Sequence, residues 1–202
     1  TRGPNVMRGY FNMPEATAEA IDPDGYFHTG DIGRLDEEGY LYITDRKKDL
    51  IVTSAGKNIA PQPIENTLKT HPLITEIVMV GNGHHFPTAL VVPDFDNLAR
   101  AAAGKGVDHA SREELIADPR AIELVEQAIA SMSKDLAKYE KIKKVTLLPF
   151  DFSIDAGELT PTLKVKRRVV EAKHKDLIAR MYVEVEDEAS VQPSSPSSTG
   201  TS

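Results

Sequence analysis

Asp31, Arg46 and Lys164 are the side chains in this sequence whose type and setting best suit work on a phosphorylated ligand. Asp31 ends the turn-rich run Asp24-Gly25-Tyr26-Phe27-His28-Thr29-Gly30-Asp31. An ionised carboxylate there can accept hydrogen bonds from both hydroxyls of a ribose. Arg46, within Asp45-Arg46-Lys47-Lys48-Asp49, offers a planar fork of donors suited to ribose or phosphate oxygens. Lys164 lies in Glu158-Leu159-Thr160-Pro161-Thr162-Leu163-Lys164-Val165-Lys166-Arg167. Its compact ammonium can touch carboxylate and phosphate oxygens together where negative charge crowds a reacting phosphorus. Taken singly, each has a plainer reading: a turn-capping Asp, an Arg paired with Asp45 or Asp49, and the solvated start of a helix.

Other residues carry weaker signals. Gly56, in Gly56-Lys57-Asn58-Ile59-Ala60-Pro61, would let a ligand pass close to the backbone or serve a tight turn, and the two readings are compatible. Glu65 reads as a structural or capping carboxylate. His84-His85 lacks a third ligand at metal-binding spacing, so the pair reads as loop histidines facing solvent and no protein-held metal is expected.

Four blocks, in this order, resemble the AMP-forming adenylating enzymes, the superfamily of acyl-CoA synthetases, luciferases and peptide-synthetase adenylation domains. They are Asp24 to Asp31, Gly39 to Ile51, Gly56 to Pro61 with Ile64-Glu65, and Glu158 to Arg167. Each block alone is weak; four in family order are a strong joint signal. The resemblance runs from about Gly3 to Met181 and looks closest to bacterial long-chain fatty-acid CoA ligases. It implies a carboxylate and ATP giving acyl-adenylate and pyrophosphate, then attack by the CoA thiol giving acyl-CoA and AMP. By the same resemblance Asp31 holds the ATP ribose, Arg46 lies near the nucleotide, and Lys48 is the hinge between a large N-terminal and a small C-terminal domain. Lys164 is then the catalytic lysine of adenylation, and the Gly56 loop lines the pantetheine path. Magnesium arrives with ATP, in keeping with its habit of binding through phosphates. The sequence departs from the commoner Ser-Gly-Lys pattern, since Leu163 stands where glycine is usual, and Lys166 remains a rival to Lys164.

A phosphate-gripping loop rich in Ser, Thr and Gly and ending in Lys is not found in the sequence. The expectation is therefore an α+β fold in which residues 1–45 end a large N-terminal AMP-binding domain as a short β-rich remnant, 46–183 form the mobile C-terminal domain, and 184–202 are a disordered acidic and Ser/Pro/Thr-rich tail. The acyl pocket and most adenine contacts would lie in a missing N-terminal domain, leaving this fragment inactive alone. Two other readings stay open: an adenylation domain that loads a carrier-protein thiol, and a non-catalytic binding module.

Composition limits the field. The 202 residues are 40% hydrophobic and 27% charged, enough apolar material for one or two cores. A formal net charge of -7 argues against a nucleic-acid binder held by bulk electrostatics. The absence of cysteine excludes disulfides and thiolate zinc sites and allows a reducing compartment. With no secretory signal and no apolar run near the roughly 18 residues of a membrane span, the expected location is cytoplasmic, with peripheral membrane contact left open.

The elements that must position these residues are legible from pattern. Ile32 to Thr44 reads as a hairpin around the acidic turn 36–39, and Leu50 to Val52 with Asn58 to Ala60 as a second extended pair turning at Ser54-Ala55-Gly56. After Pro61 and Pro63 a short helix is predicted through Leu68, then strands at Ile74 to Val80 and Ala89 to Val92. Ser111 with Glu114 fits a capping box, and Asp118-Pro119 fits a second helix start. Ile122, Val125, Ile129, Met132 and Leu136 mark that helix's apolar face, which should pack on a sheet that Val145 to Leu148 helps form. Val170, His174, Leu177, Ile178 and Met181 mark a final helix.

Overall fold

The computed structural model describes residues 1–191. The chain divides into two compact units, Thr1–Leu50 and Ile51–Ser202.

In the first unit, helix α1 (Pro14–Ala20), unexpected in so turn-rich a stretch, precedes strands β1 (Asp31–Leu35) and β2 (Leu41–Arg46). The strands pair antiparallel, as expected, with an irregularity between Ile32 and Gly33. Asp36 closes the hairpin: its Oδ1 accepts the amides of Glu38 and Tyr40 at 3.0 and 2.8 Å. This is the reason an Asp begins such a turn, since its carboxylate supplies the acceptor that a backbone carbonyl would otherwise provide. Among the described residues of this unit no apolar side chain is buried. A single 3₁₀ turn, Lys47–Asp49, follows β2.

The second unit begins with the short hairpin of β3 (Ile51–Val52) and β4 (Asn58–Ile59), then α2 (Pro61–Leu68), β5 (Ile74–Val80) and β6 (Thr88–Pro93). Helices α3 (Phe95–Ala103), α4 (Arg112–Ala117) and α5 (Pro119–Met132) lead to β7 (Val145–Leu147), and α6 (Arg167–Lys173) and α7 (Lys175–Val191) complete it. The caps are those the sequence predicts. The Ser111 hydroxyl accepts from Glu114 N at 3.2 Å and Asp118 Oδ1 from Arg120 N at 2.8 Å, although the Glu114 carboxylate reaches the amide of Ala110 instead of that of Ser111.

β5, β6 and β7 form one sheet in that order, antiparallel then parallel. Side chains alternate between two cores. Ile77, Met79, Ala89, Val91, Val145 and Leu147 face one cluster with residues of α2, α3 and α5. Val78, Val80, Leu90 and Val92 face the other, with Val170 of α6 and Met181 of α7. A strand covered on both faces reads as a continuous apolar run, which is what β6 shows. The face expected of α5 does pack on this sheet, with Val125 and Ile129 buried in the first cluster.

The second unit also departs from expectation, beginning with α5, which ends at Met132 and so leaves Leu136 beyond it. α3 was not foreseen, although Asp94 caps it by accepting the amide of Asn97 at 2.9 Å. The final helix is two helices that meet at His174, whose backbone leaves helical geometry at φ -108°, ψ 21°. α7 also runs through Val191, eight residues into the stretch expected to be without structure, while 192–202 lie outside the described residues.

Candidate active site

In the first unit, the ladder sets Asp31 opposite Arg46, at the open end of the β1–β2 hairpin. Gly30 O accepts the amide of Lys47 at 2.7 Å and Thr29 Oγ1 accepts that of Asp31 at 3.1 Å, so the backbone is held on both sides of the pair. Arg46 is fixed further by Asp45, a buried carboxylate whose Oδ1 accepts the Arg46 amide at 2.7 Å. Arg46 Nε lies 3.4 Å from Asp31 Oδ1. At this length and with Arg46 exposed and Asp31 half-buried, the pair is worth little on its own, so the guanidinium can turn toward a ligand at small cost. The structure thus brings Asp31 and Arg46 together. Lys48 sits exposed in the 3₁₀ turn, two residues before the boundary between the units.

In the second unit, Gly56 lies in the β3–β4 turn at φ 74°, where residues with a Cβ are strained. The turn is closed by Gly56 N to Thr53 O at 2.8 Å and Thr53 N to Lys57 O at 2.9 Å, and Thr53 Oγ1 accepts the Lys57 amide at 3.0 Å. Thr53 is buried while Gly56 is exposed, so a firmly held base presents the bare backbone outward. A Cβ built on Gly56 would meet nothing within 4 Å. The glycine is therefore required by the backbone angle and not by crowding within the unit.

Lys164 closes a second turn. Leu163 N donates to Thr160 O and Thr160 N to Lys164 O, each at 2.8 Å, while Thr160 Oγ1 accepts the Lys164 amide at 3.0 Å. Leu159 and Val165 pair across its base, and the Lys166 amide donates to Glu158 O at 2.7 Å. The two lysines stand on either side of Val165, which packs against the second core, and both are exposed. Leu163 has φ 59°, the left-handed region. The position at which this chain departs from the common glycine is thus one whose backbone angle favours glycine.

Two carboxylates anchor that turn from behind: Glu65, structural as expected, and Glu158. Glu158 is 1% exposed; its Oε1 takes a 2.7 Å ion pair from Lys173 and its Oε2 accepts the Ser153 amide at 3.2 Å. Glu65 Oε1 accepts the Met79 amide at 2.6 Å, and Arg167 Nη2 lies 2.7 Å from both Glu65 oxygens. Charged residues flanking a lysine motif between apolar segments were the available signal, but nothing local says that they face inward. His84 and His85 lie in the β5–β6 loop, and among the described residues no group of three or more His, Cys, Asp or Glu is placed to hold a metal. Among the same residues no helix is long and apolar enough to cross a membrane.

Comparison with known proteins agrees with this α+β architecture. The chain is 41% identical over 189 residues to the long-chain-fatty-acid–CoA ligase FadD15 of Mycobacterium tuberculosis, covering 90% of this chain and 30% of that protein. It is 38% identical over 200 residues to the long-chain-fatty-acid–CoA ligase ACSBG1 of Bos taurus, covering 90% and 28%. It therefore spans under a third of the length of these relatives. Among solved structures, the A domain of a carboxylic acid reductase from Segniliparus rugosus, in complex with AMP and a carboxylic acid, superposes with a TM-score of 0.77 at 23% identity, over 91% of this chain and 27% of that one. ATP-bound MatB from Rhodopseudomonas palustris gives 0.59 at 31% identity, over 87% and 30%. The family model for the AMP-binding enzyme C-terminal domain matches residues 48–186, and the chain belongs to that family.

Proposed function

We propose that the chain is the C-terminal part of an AMP-forming long-chain fatty-acid CoA ligase. The observation that carries the reading is its identity, along 90% of its length, to relatives named for that activity. The geometry supports it. Asp31 and Arg46 form one end of a hairpin with an acceptor and a donor fork side by side, suited to the ribose of ATP. Lys164 stands exposed on a turn tied at its base to two buried carboxylate networks. In the first step a fatty-acid carboxylate oxygen bonds to the α-phosphorus of ATP, the bond to pyrophosphate breaks, and the Lys164 ammonium offsets the charge that gathers on the carboxylate and phosphate oxygens. In the second, the CoA sulfur bonds to the acyl carbon, AMP leaves, and the thiol proton is lost. The Gly56 turn lines the path of the pantetheine arm. Lys48 is the hinge on which the smaller domain changes its face between the steps. Magnesium enters as the ATP complex.

The remaining adenine contacts, the acyl pocket and the phosphate loop belong to an N-terminal part of the same enzyme. The first unit is consistent with such a neighbour: Phe11, Leu35, Tyr40 and Ile43 are exposed by 60% or more, and apolar surface of this kind marks an interaction site. Residues 1–45 are then the end of the larger domain and 46–183 the mobile one, in the cytoplasm where ATP and CoA are held.

The test is to supply the whole protein with a long-chain fatty acid, magnesium-ATP and CoA and to measure AMP, pyrophosphate and acyl-CoA. Equal yields of the three support the ligase, whereas transfer only to a phosphopantetheinylated carrier protein supports the alternative loading role. This chain alone should release no pyrophosphate above a blank.

A further inference from the structure

His84 and His85, expected as loop residues facing solvent, each have a partner in the structure. The loop 81–87 between β5 and β6 lies along the β3–β4 hairpin that carries Gly56. Asn82 Oδ1 accepts the amide of Val52 at 3.2 Å, Gly83 N donates to Val52 O at 2.8 Å, and Ser54 N donates to His84 O at 2.9 Å. A bond between two side chains completes the set: Ser54 Oγ and His85 Nδ1 are 2.8 Å apart. Ser54 lies two residues from Gly56, inside the turn closed by Thr53 and Lys57.

The loop is itself braced from the other side of the fold. The His84 ring stacks on that of Tyr182 in α7, with centroids 3.6 Å apart and planes 6° from parallel. Tyr182 is buried, and its hydroxyl lies 3.2 Å from Thr88 Oγ1 and from the carbonyls of Val80 and Phe86. His84 is thus held at the middle of the loop, while His85 reaches the turn. The Ser54 N to His84 O bond already ties the loop to the turn, and the Ser54–His85 bond adds the side-chain link between them.

We propose that His85, through Ser54, is a positioning residue for the Gly56 turn, and that it acts in thioester formation and not in adenylation. The inference rests on the assignment of the Gly56 turn to the pantetheine path. A single hydrogen bond between exposed side chains contributes about 0.5–1.5 kcal/mol, so the expected effect is modest in size and specific in kind. A small displacement of a group that aligns reactants is felt in the rate of the step it aligns.

The experiment uses the full-length protein and separates the half-reactions: pyrophosphate release from fatty acid and ATP without CoA, and acyl-CoA formation from supplied acyl-adenylate and CoA. His85→Ala and Ser54→Ala should each slow the second by about 3- to 10-fold, leaving the first unchanged, a loss equal to one hydrogen bond. The double variant should be no slower than either single one, because both remove the same bond. His85→Asn, which keeps an acceptor or donor near the position of Nδ1, should recover most of the rate. Unchanged acyl-CoA formation, equal loss in both half-reactions, or multiplicative loss in the double variant overturns the proposal. A wild-type protein that makes no acyl-CoA overturns the ligase reading and this inference with it, whereas an active wild-type protein indifferent to His85→Ala overturns this inference alone.

Discussion

Arg167 meets Glu65 across the second unit, with its Nη2 2.7 Å from each of the two carboxylate oxygens. Both groups also bond to Met79, Glu65 to its amide and Arg167 to its carbonyl, so α2, the C-terminal end of β5 and the start of α6 are tied at one point. The pair is largely buried, with side chains 15% and 10% exposed. Removing one partner of a buried pair leaves an uncompensated charge. Glu65→Ala should therefore destabilise the unit by about 3–5 kcal/mol in urea unfolding, and the double variant Glu65→Leu, Arg167→Met should recover much of that loss. A single variant that unfolds at the wild-type midpoint contradicts the geometry.

Leu163 at φ 59° stores strain that a glycine would release. An L-residue in the left-handed region costs about 1–2 kcal/mol, part of which is offset by the larger entropy that glycine loses on folding. Leu163→Gly should raise stability by up to about 1 kcal/mol, and Leu163→Val should lower it by about the same amount, since β-branching suits a positive φ least. Thermal or urea midpoints that move the other way for the glycine variant disprove the strain.

His174 is buried at the α6–α7 junction against Phe150, and among the described residues its Nε2 has no hydrogen-bond partner. Burial holds its pKa below the usual histidine value; nearby Glu158 opposes that shift and Lys173 adds to it. The folded value thus lies below the unfolded one, and the unfolded chain takes up the proton first as the solution is acidified. Stability from this group is complete above about pH 6.5 and is lost as pH falls toward the lowered folded value, with a slope below about 1.4 kcal/mol per pH unit. His174→Phe should flatten the dependence between about pH 7 and 5, where histidine titrates. An unchanged slope contradicts the assignment.

Much of this was legible in the sequence. Turn chemistry at Asp36 and Gly56, the caps at Ser111 and Asp118, and the apolar runs of β5 and β6 each follow from local rules, and the structure has them where those rules put them. Non-local features were not legible. Glu65 and Arg167 are 102 positions apart, Tyr182 and Thr88 are 94 apart, and no pattern in either segment announces its partner. The break at His174 was hidden for a different reason: residues on both sides of it face the same core, so the apolar spacing runs through the junction uninterrupted. Of the candidate site, the family-like blocks pointed to Asp31, Arg46, Lys48, Gly56 and Lys164, and Glu65 read as structural, whereas the burial of Glu158 and the partners of both carboxylates became visible only in three dimensions.

Lys48 stands in the 3₁₀ turn next to the boundary of the two units. If it is the hinge, fixing its φ near -65° with proline should trap one arrangement. In the full-length protein, Lys48→Pro should leave pyrophosphate release near the wild-type rate and suppress acyl-CoA formation. Two unchanged rates contradict a hinge at this residue.

Whether Lys164 offsets charge in adenylation is decided by Lys164→Ala in the full-length protein with the two half-reactions assayed separately. Pyrophosphate release should fall by about 10²-fold or more, the scale of a lost electrostatic stabiliser, while thioester formation from supplied acyl-adenylate largely survives and Lys166→Ala does less harm. Equal loss in both half-reactions, or a larger adenylation defect from Lys166→Ala, contradicts it.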